Sequence, residues 1–341
     1  MISRRFAQRL LAALGVAAGI AAAQAETLKV GYLPVTGHAK FFVAKEQGFF
    51  KKEGLDVDLI EFQNSADGLN AVVAGKLDVG AFGTTAPLVF YSKGANIKII
   101  GGIMGGDAAL VVKPEVAASF HSLADLKGKK IATVRLASGD AVLRGALKDA
   151  HINWKKDLHI FELKNPPAVI EAVKSGQVDA GLVWGPHDLR AEQQGLKVVL
   201  HSTALQPGHP CCRLVVSGGK LKDADTLEHF LRAILEAEHY TATHRKETID
   251  AIQKYVKLDR ALLEKGYYSP YLDQRSDPNV KGTEKFWLTM VSSEFAEGKR
   301  PLQPIFELSL YQKALESLAK ENPKDPFWQT RLKEFKQRDV L

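Results

Sequence analysis

The most unusual chemistry-bearing residues in this sequence are two adjacent cysteines, Cys211 and Cys212, the only cysteines among its 341 residues. In an oxidising compartment, adjacent thiols can form a vicinal disulfide, an eight-membered ring that would give a pocket a rigid, apolar wall. Two other arrangements stay open: free thiols on opposite faces of a strand, or a soft-metal site shared with His209. The disulfide is the arrangement that we expect here.

Five segments that each follow a predicted strand carry residues typical of a helix start. The first N–H groups of a helix lack intrahelical partners and the helix dipole is positive there, so such segments attract anions. Ordinary helix capping explains each segment equally well when it is taken alone. The five segments are Thr36-Gly37-His38, Ser65-Ala66-Asp67, Gly83-Thr84-Thr85, Ser138-Gly139-Asp140 and Gly185-Pro186-His187.

Several larger side chains add to these candidates. Trp184 ends a predicted strand, where its ring could stack on a ligand or belong to the core. His38 and His187 would face each other across a cleft, and a nearby anion could charge either one. Arg135 and Arg213 are candidate cations for a sulfonate or carboxylate. The candidate ligand-binding residues are Gly37, His38, Gly83, Thr84, Thr85, Ser138, Gly139, Asp140, Trp184, His187, Cys211, Cys212 and Arg213.

Catalytic patterns do not stand out in the sequence. It contains no evident Ser-His-Asp order and no carboxylate cluster with metal-ligand spacing. We therefore expect a binding protein rather than an enzyme, with no catalytic residues, no cofactor and no metal.

An internal repeat organises the elements that must position these residues. The segment that begins at Gly75 (GKLDVGA) returns at Gly176 (GQVDAGL), 101 residues later, and the same offset relates Lys29 to Lys130 without a gap. Each copy reads strand, loop, helix, strand, helix, strand. Two α/β lobes of one design are therefore predicted.

The first residues of the chain indicate export. Residues 1–9 are basic, residues 10–23 are apolar and Ala23-Gln24-Ala25 resembles a cleavage site, so residues 1–25 are predicted to be a signal peptide. The formal charge of +7 would then fall to about +4 in the mature chain. These charges are scattered, which argues against a nucleic-acid partner.

The order of elements predicts three parts after the signal peptide. Residues 26–112 would form the first part of lobe 1, and residues 113–212 would form lobe 2. Residues 213–341 would return to lobe 1 and continue as helices packed on it. The predicted fold class is therefore α/β, with two lobes joined by a hinge and a helical C-terminal part.

The sequence resembles the type II periplasmic solute-binding proteins of ABC importers, and within them the nitrate, sulfonate and taurine branch. The resemblance covers residues 27 to at least 240, and it is specific for fold and role rather than for ligand. It lies in the segments Val30-Gly31-Tyr32-Leu33-Pro34, His38-Ala39, Glu46-Gln47-Gly48-Phe49-Phe50-Lys51-Lys52-Glu53-Gly54-Leu55, Gly75-Lys76-Leu77-Asp78-Val79-Gly80, Leu123-Ala124-Asp125-Leu126-Lys127-Gly128-Lys129-Lys130 and Asp179-Ala180-Gly181-Leu182-Val183-Trp184.

The resemblance implies that two lobes close on a small, anionic organic solute and that the closed protein docks on a membrane permease with its ATPase. It implies a monomer in the periplasm. The cysteine pair departs from the usual sulfonate binders, so the ligand stays open. Two alternatives also stay open: binding or synthesis of the thiamine pyrimidine, since its synthases share this fold, and a periplasmic sensor that reports its ligand to a receptor.

Overall fold

The structure is a computed structural model that describes residues 27–340. The predicted signal peptide, residues 1–25, lies outside these residues. Alternating apolar residues bounded by glycine and polar turns form short strands. The described strands are β1 (Leu28–Tyr32), β2 (Val57–Glu61), β3 (Val79–Gly83), β4 (Ile97–Gly106), β5 (Ala108–Val112), β6 (Lys130–Val134), β7 (His159–Leu163), β8 (Ala180–Trp184), β9 (Lys197–His201), β10 (Pro210–Ser217) and β11 (Leu272–Asp273).

Helices connect these strands and make up most of the C-terminal third. None of the described helices has the length and apolar character that a bilayer span needs. They are α1 (Ala39–Glu46), α2 (Phe49–Lys52), α3 (Ser65–Val73), α4 (Thr85–Ser92), α5 (Pro114–Ala117), α6 (Ser138–Asp149), α7 (Pro166–Lys174), α8 (His187–Gln193), α9 (Ser202–Leu205), α10 (Ala224–Thr243), α11 (Arg245–Tyr255), α12 (Arg260–Tyr267), α13 (Val280–Ser292), α14 (Leu308–Glu321) and α15 (Pro326–Arg338).

The strands form two separate sheets, which confirms the predicted two-lobe α/β fold. The first sheet has the order β11-β4-β10-β3-β1-β2, and the second has the order β7-β6-β8-β5-β9. In each sheet one strand pairs in parallel with two others, as β1 does with β2 and β3, and β6 does with β7 and β8. The carboxyl ends of these parallel strands therefore face the same edge of their sheet.

The internal repeat is visible at atomic detail. The backbone N–H of Lys29 donates to the Asp78 carboxylate at 2.8 Å, and the backbone N–H of Lys130 donates to the Asp179 carboxylate at the same distance. Each acceptor lies 101 residues from its counterpart. The two lobes therefore share one design down to individual hydrogen bonds, as the sequence offset predicts.

The chain crosses between the sheets at a different place from the one predicted. Strand β5 (Ala108–Val112), which the sequence assigned to lobe 1, lies wholly in the second sheet. Strand β4 continues through Gly105 and Gly106, and the chain turns at Asp107, whose φ of 76° lies in the left-handed region. The return is also earlier than predicted, since β10 joins the first sheet from Pro210 rather than from Arg213.

The C-terminal helices pack mainly on the first sheet, as expected. One face of α10 is buried, with Leu227, Phe230 and Ile234 inaccessible to solvent, and it packs against α14. Helix α13 also reaches lobe 2, because it packs against α6, and Trp154 donates its indole N–H at 2.8 Å to the carbonyl of Ser293, the residue after α13. The helical part thus contacts both lobes.

Candidate ligand-binding site

A small cavity lies between the two lobes. Its volume of about 20 Å³ is the space of roughly one water molecule, so the lobes are closed on each other. Lobe 1 and the strand β10 contribute Leu33, Val35, Ser65, Gly83, Met104, Cys211 and Cys212. Lobe 2 contributes Ala108, Ala137, Ser138, Gly139 and Trp184.

The cavity lies where strands end and helices begin. Gly83 is the last residue of β3 and Trp184 is the last residue of β8. Ser65 begins α3 and Ser138 begins α6. Ligands of open α/β sheets bind at this edge, so the cavity has the position that the strand order predicts.

The Cys211 carbonyl joins the lobes at this cavity. It accepts a hydrogen bond from the Thr84 backbone N–H at 2.7 Å and from the Thr84 hydroxyl at 3.0 Å. It also accepts one from the Ser138 hydroxyl at 2.8 Å, across the cleft. Since Ser138 belongs to lobe 2 and the other two residues to lobe 1, this bond holds the lobes together.

Two glycines allow this close approach. A Cβ at Gly83 would lie 3.0 Å from the Ser65 hydroxyl and 3.2 Å from the Ser138 hydroxyl. A Cβ at Gly139 would collide with the methyl group of Ala108. Bare backbone therefore forms part of the cavity wall on both lobes.

Six of the sequence-derived candidates line this cavity, and the others lie around it. The six are Gly83, Ser138, Gly139, Trp184, Cys211 and Cys212. The candidates outside the lining are Gly37, His38, Thr84, Thr85, Asp140, His187 and Arg213.

His38 has a structural partner. It is fully buried, and its Nδ1 accepts a hydrogen bond from the Leu33 backbone N–H at 3.1 Å. Burial, with a smaller contribution from Lys40, lowers its pKa to about 3. The ring is therefore neutral at neutral pH and stabilises the loop after β1.

His187, at the start of α8, is also neutral. Burial, helped by Arg190, lowers its pKa to about 3. Its ring lies edge-on to Trp184, with the ring centroids 6.3 Å apart. Without a bound anion, both histidine rings are therefore neutral at neutral pH.

Arg213 is not a free cation for a ligand, which corrects the sequence interpretation. It is 2% exposed, and its guanidinium donates to the carbonyls of Asp277, Pro278 and Met104 at 2.6–2.9 Å, and to its own neighbour Cys212. These bonds attach the C-terminal segment to the first sheet. The other candidate cation, Arg135, is exposed directly after β6 and does not line the cavity.

Three further candidates surround the cavity without lining it. Asp140 is buried, and its carboxylate accepts two hydrogen bonds from the Arg144 guanidinium, at 2.9 and 2.8 Å. The Thr85 hydroxyl donates to the Ala137 carbonyl at 3.4 Å, a second contact between the lobes. Gly37 packs against the sulfur of Met104, where a Cβ would collide.

The two cysteines are free in the structure, with their Sγ atoms 3.9 Å apart. The expected vicinal disulfide is therefore not formed here. Cys212 is buried and Cys211 is half-buried at the cavity. Cys212 and burial raise the pKa of Cys211 well above its usual value, which makes it a poor nucleophile.

The soft-metal alternative lacks its third ligand. His209 is buried, and its Nε2 lies 2.9 Å from the Ser202 hydroxyl. Among residues 27–340 no group of three or more His, Cys, Asp or Glu side chains is placed to bind a metal ion.

Sequence reasoning missed the apolar part of the lining: Leu33, Val35, Met104, Ala108 and Ala137. The only available signal was their position beside the predicted helix starts and the lobe crossing. Ser65 carried such a signal, because it belongs to one of the five segments, and its hydroxyl accepts the Gly83 N–H at 2.9 Å.

Comparison with known proteins agrees with this architecture. The model of the NMT1-like family matches residues 21–257. A Brucella abortus protein, provisionally named a binding protein, is 27% identical over 314 residues, or 89% of this chain and 96% of the relative. A Bacillus subtilis protein, provisionally named an aliphatic sulfonates-binding protein, is 26% identical over 80% of this chain and 84% of its own length.

A solved structure extends the comparison to the fold. The periplasmic nitrate-binding protein NrtA from Synechocystis PCC 6803 superposes with a TM-score of 0.76 at 16% identity. The match covers 86% of this chain and 89% of that protein. The two-lobe structure described above is therefore the fold of a periplasmic binding protein.

Proposed function

Because this chain belongs to the NMT1-like family, we propose that it is the substrate-binding component of an ABC importer. It captures a small anionic organic solute, similar to a sulfonate, nitrate or taurine, between its lobes and delivers it to a membrane permease. The observation that carries this proposal is the interlobe cavity at the strand ends, which opens onto the first turn of α6.

The start of α6 supplies the attraction for an anion. Its first N–H groups have no intrahelical partner and carry the positive end of the dipole of a 12-residue helix. The carboxylate of Asp140 lies in that first turn, but Arg144 neutralises it. Since no lysine or arginine is among the lining residues described, N–H groups and hydroxyls would hold the anion.

Ligand entry requires the lobes to separate, because the closed cavity holds only about one water. The chain connects the lobes at Asp107 and again through residues 202–209, and both connections are short. We propose that these connections act as the hinge, so that the unliganded protein opens and the ligand closes it.

A thermal-shift screen combined with small-angle scattering tests this function. Taurine, ethanesulfonate or nitrate should raise the melting temperature by mass action, and the same ligand should reduce the radius of gyration. If the stabilising ligand leaves the radius unchanged, hinge closure is wrong. If no anion stabilises the protein, the ligand class is wrong.

A neutral pyrimidine is a second candidate ligand, favoured by the lining itself. Trp184, Met104, Leu33 and Val35 offer apolar surface and an aromatic ring. A pyrimidine included in the same screen separates the two classes. If the pyrimidine stabilises the protein and is not converted, the protein is still a binding protein, but its ligand is a pyrimidine rather than an anion.

Export and delivery have their own tests. The mature protein should be found in the periplasmic fraction and begin at about residue 26. Deletion of the gene should abolish uptake of the stabilising ligand by whole cells. Normal uptake with loss of a transcriptional response would instead identify a sensor.

A further inference from the structure

A second cavity, of about 180 Å³, lies beside the crossing between the lobes and is separate from the interlobe cavity described above. Three parts of the chain form its wall: Asp107 at the crossing, residues of α8 and β9 in lobe 2, and residues 265–271 of the C-terminal part. Because its walls come from both lobes, anything that fills it connects them.

One carboxylate oxygen of Asp107 lacks a hydrogen-bond partner on this wall. The side chain is 4% exposed, and its buried Oδ2 has no partner among residues 27–340. The carboxylate lies against the bare backbone of Gly185, where a Cβ would be 2.7 Å from Oδ2. An unpaired buried carboxylate oxygen is costly, so a group that donates to it would stabilise the site.

The other charges of the cavity do not compensate Asp107. Asp188 and Glu192 add two carboxylates, whereas Lys265 is the one cation of the lining and lies 3.6 Å from Glu192. Asp188 accepts a hydrogen bond only from the Leu189 backbone N–H, at 2.8 Å, among the described groups. Burial and the nearby Asp188 raise the pKa of Asp107 well above its usual value. Burial also raises the pKa of Asp188, so both carboxyl groups favour the protonated form, and the wall lacks the cations that would stabilise their charged forms.

An aromatic pair closes one side of the cavity. The rings of His201 and Tyr271 stack with centroids 3.5 Å apart, and they come from lobe 2 and from the C-terminal part. Burial lowers the pKa of His201, which keeps this ring neutral. Because these two rings carry no charge, the carboxylates of the cavity are the groups that would select a ligand by its charge.

We propose that this cavity binds a small organic cation, with a primary ammonium or amidinium group, between Asp107 and Asp188. Such a group supplies the missing charge, and its N–H groups can donate to the carboxylates that line the cavity. A metal ion fits less well, since the described residues offer no set of three metal-ligating side chains. The bound cation would stabilise the closed lobes independently of any solute in the interlobe cavity.

Calorimetric titration and thermal shift with n-propylammonium and acetamidinium test the proposal. 1-Propanol and acetamide serve as uncharged analogues of the same shape. The cations should bind and raise the melting temperature, and the uncharged analogues should not. Asp107→Asn and Asp188→Asn should each weaken cation binding about tenfold or more. Asparagine tolerates the left-handed φ of position 107, so the first variant should fold.

Matched controls decide the interpretation. Asp58→Asn, which removes an exposed carboxylate on β2, should leave cation binding unchanged. A ligand that fills the interlobe cavity should still bind to Asp188→Asn, whose residue lies on α8 outside the hinge, and this separates the proposal from the transport function. The proposal fails if neither cation binds the wild-type protein, or if both bind the two site variants and the wild type equally.

Discussion

The Ser138 hydroxyl in lobe 2 donates a hydrogen bond to the Cys211 carbonyl on β10, 2.8 Å away across the cleft. That carbonyl already accepts the Thr84 N–H at 2.7 Å. The bond therefore belongs to the closed arrangement of the lobes and must break when they separate. It gives a single atom pair through which closure can be weakened without altering either core.

Replacing Ser138 by alanine should weaken ligand binding through closure. Loss of one neutral hydrogen bond costs about 1 kcal/mol, which corresponds to about a fivefold loss of affinity. Calorimetric titration with the stabilising solute measures this change, and scattering should show a more open unliganded protein. Ser175→Ala removes an exposed hydroxyl directly after α7 and should change neither quantity. Unchanged affinity in Ser138→Ala would show that the bond does not contribute to closure.

The repeat explains why so much of the fold could be predicted from the sequence. Residues such as Asp78 and Asp179 act within their own lobe, since each accepts a backbone N–H from a neighbouring strand, and the repeat places both at the same offset. Local periodicity and turn residues also locate most strands and helices. The same patterns placed Ser138 and Gly139 correctly at the cavity.

Distant contacts explain what the sequence could not provide. The partners of Arg213 include the carbonyls of Asp277 and Pro278, 64 and 65 residues later, and no local pattern announces them. The predicted lobe boundary was wrong for a similar reason. Strand β5 belongs to the second sheet because it pairs with β8 and β9, and β8 and β9 lie about 70 to 90 residues later in the chain. Asp107 has no sequence signal beyond its position after two glycines.

Trp184 should contribute more to binding than to folding. The side chain is half-buried at the cavity, and Trp184→Ala should weaken a stacked ligand by about 1–3 kcal/mol. Trp328, buried in α15, is the matched control: Trp328→Ala should cost roughly 3–5 kcal/mol of stability without altering affinity. Unfolding curves and titrations on both variants measure the two effects. Normal affinity with a large stability loss in Trp184→Ala would assign it to the core.

The cysteine pair should behave as two unreactive thiols. Denatured protein without reductant should show two thiols, and native protein should react slowly, because Cys212 is buried and the pKa of Cys211 is raised. A thiol titration of native and denatured protein, with and without chelator, measures this. If the denatured protein showed no free thiols, the vicinal disulfide would be supported instead. A melting temperature that falls on chelation would instead identify a metal site.

Acid should destabilise the protein through His38. Its pKa is about 3 when folded and 6.5 unperturbed, so between these values the unfolded chain binds the proton more readily. The free energy of unfolding should therefore fall as the pH drops from about 6.5, by up to about 1.4 kcal/mol per pH unit from this group. Chemical denaturation at several pH values should show a smaller fall for His38→Asn. Exposed His121→Asn should retain the wild-type slope, and an equal slope in His38→Asn would contradict the prediction.

Alkali should destabilise the protein through Asp339. Burial, and then the neighbouring Asp277, raise its pKa from 3.8 to about 8, so the folded protein holds this proton more tightly than the unfolded chain. The free energy of unfolding should consequently decrease as the pH rises towards 8. The window from pH 7 to 8 lies above the usual histidine pKa, and comparison with Asp339→Asn separates this carboxyl group from Lys40, whose pKa burial lowers to about 8. In the wild type, the Val280 N–H donates to Asp339 at 2.9 Å. Asp339→Asn keeps an oxygen acceptor for this N–H but cannot ionise. In denaturation from pH 7 to pH 8, the wild type should therefore lose more stability than this variant does. A variant that loses as much stability as the wild type would place the alkaline sensitivity at another group.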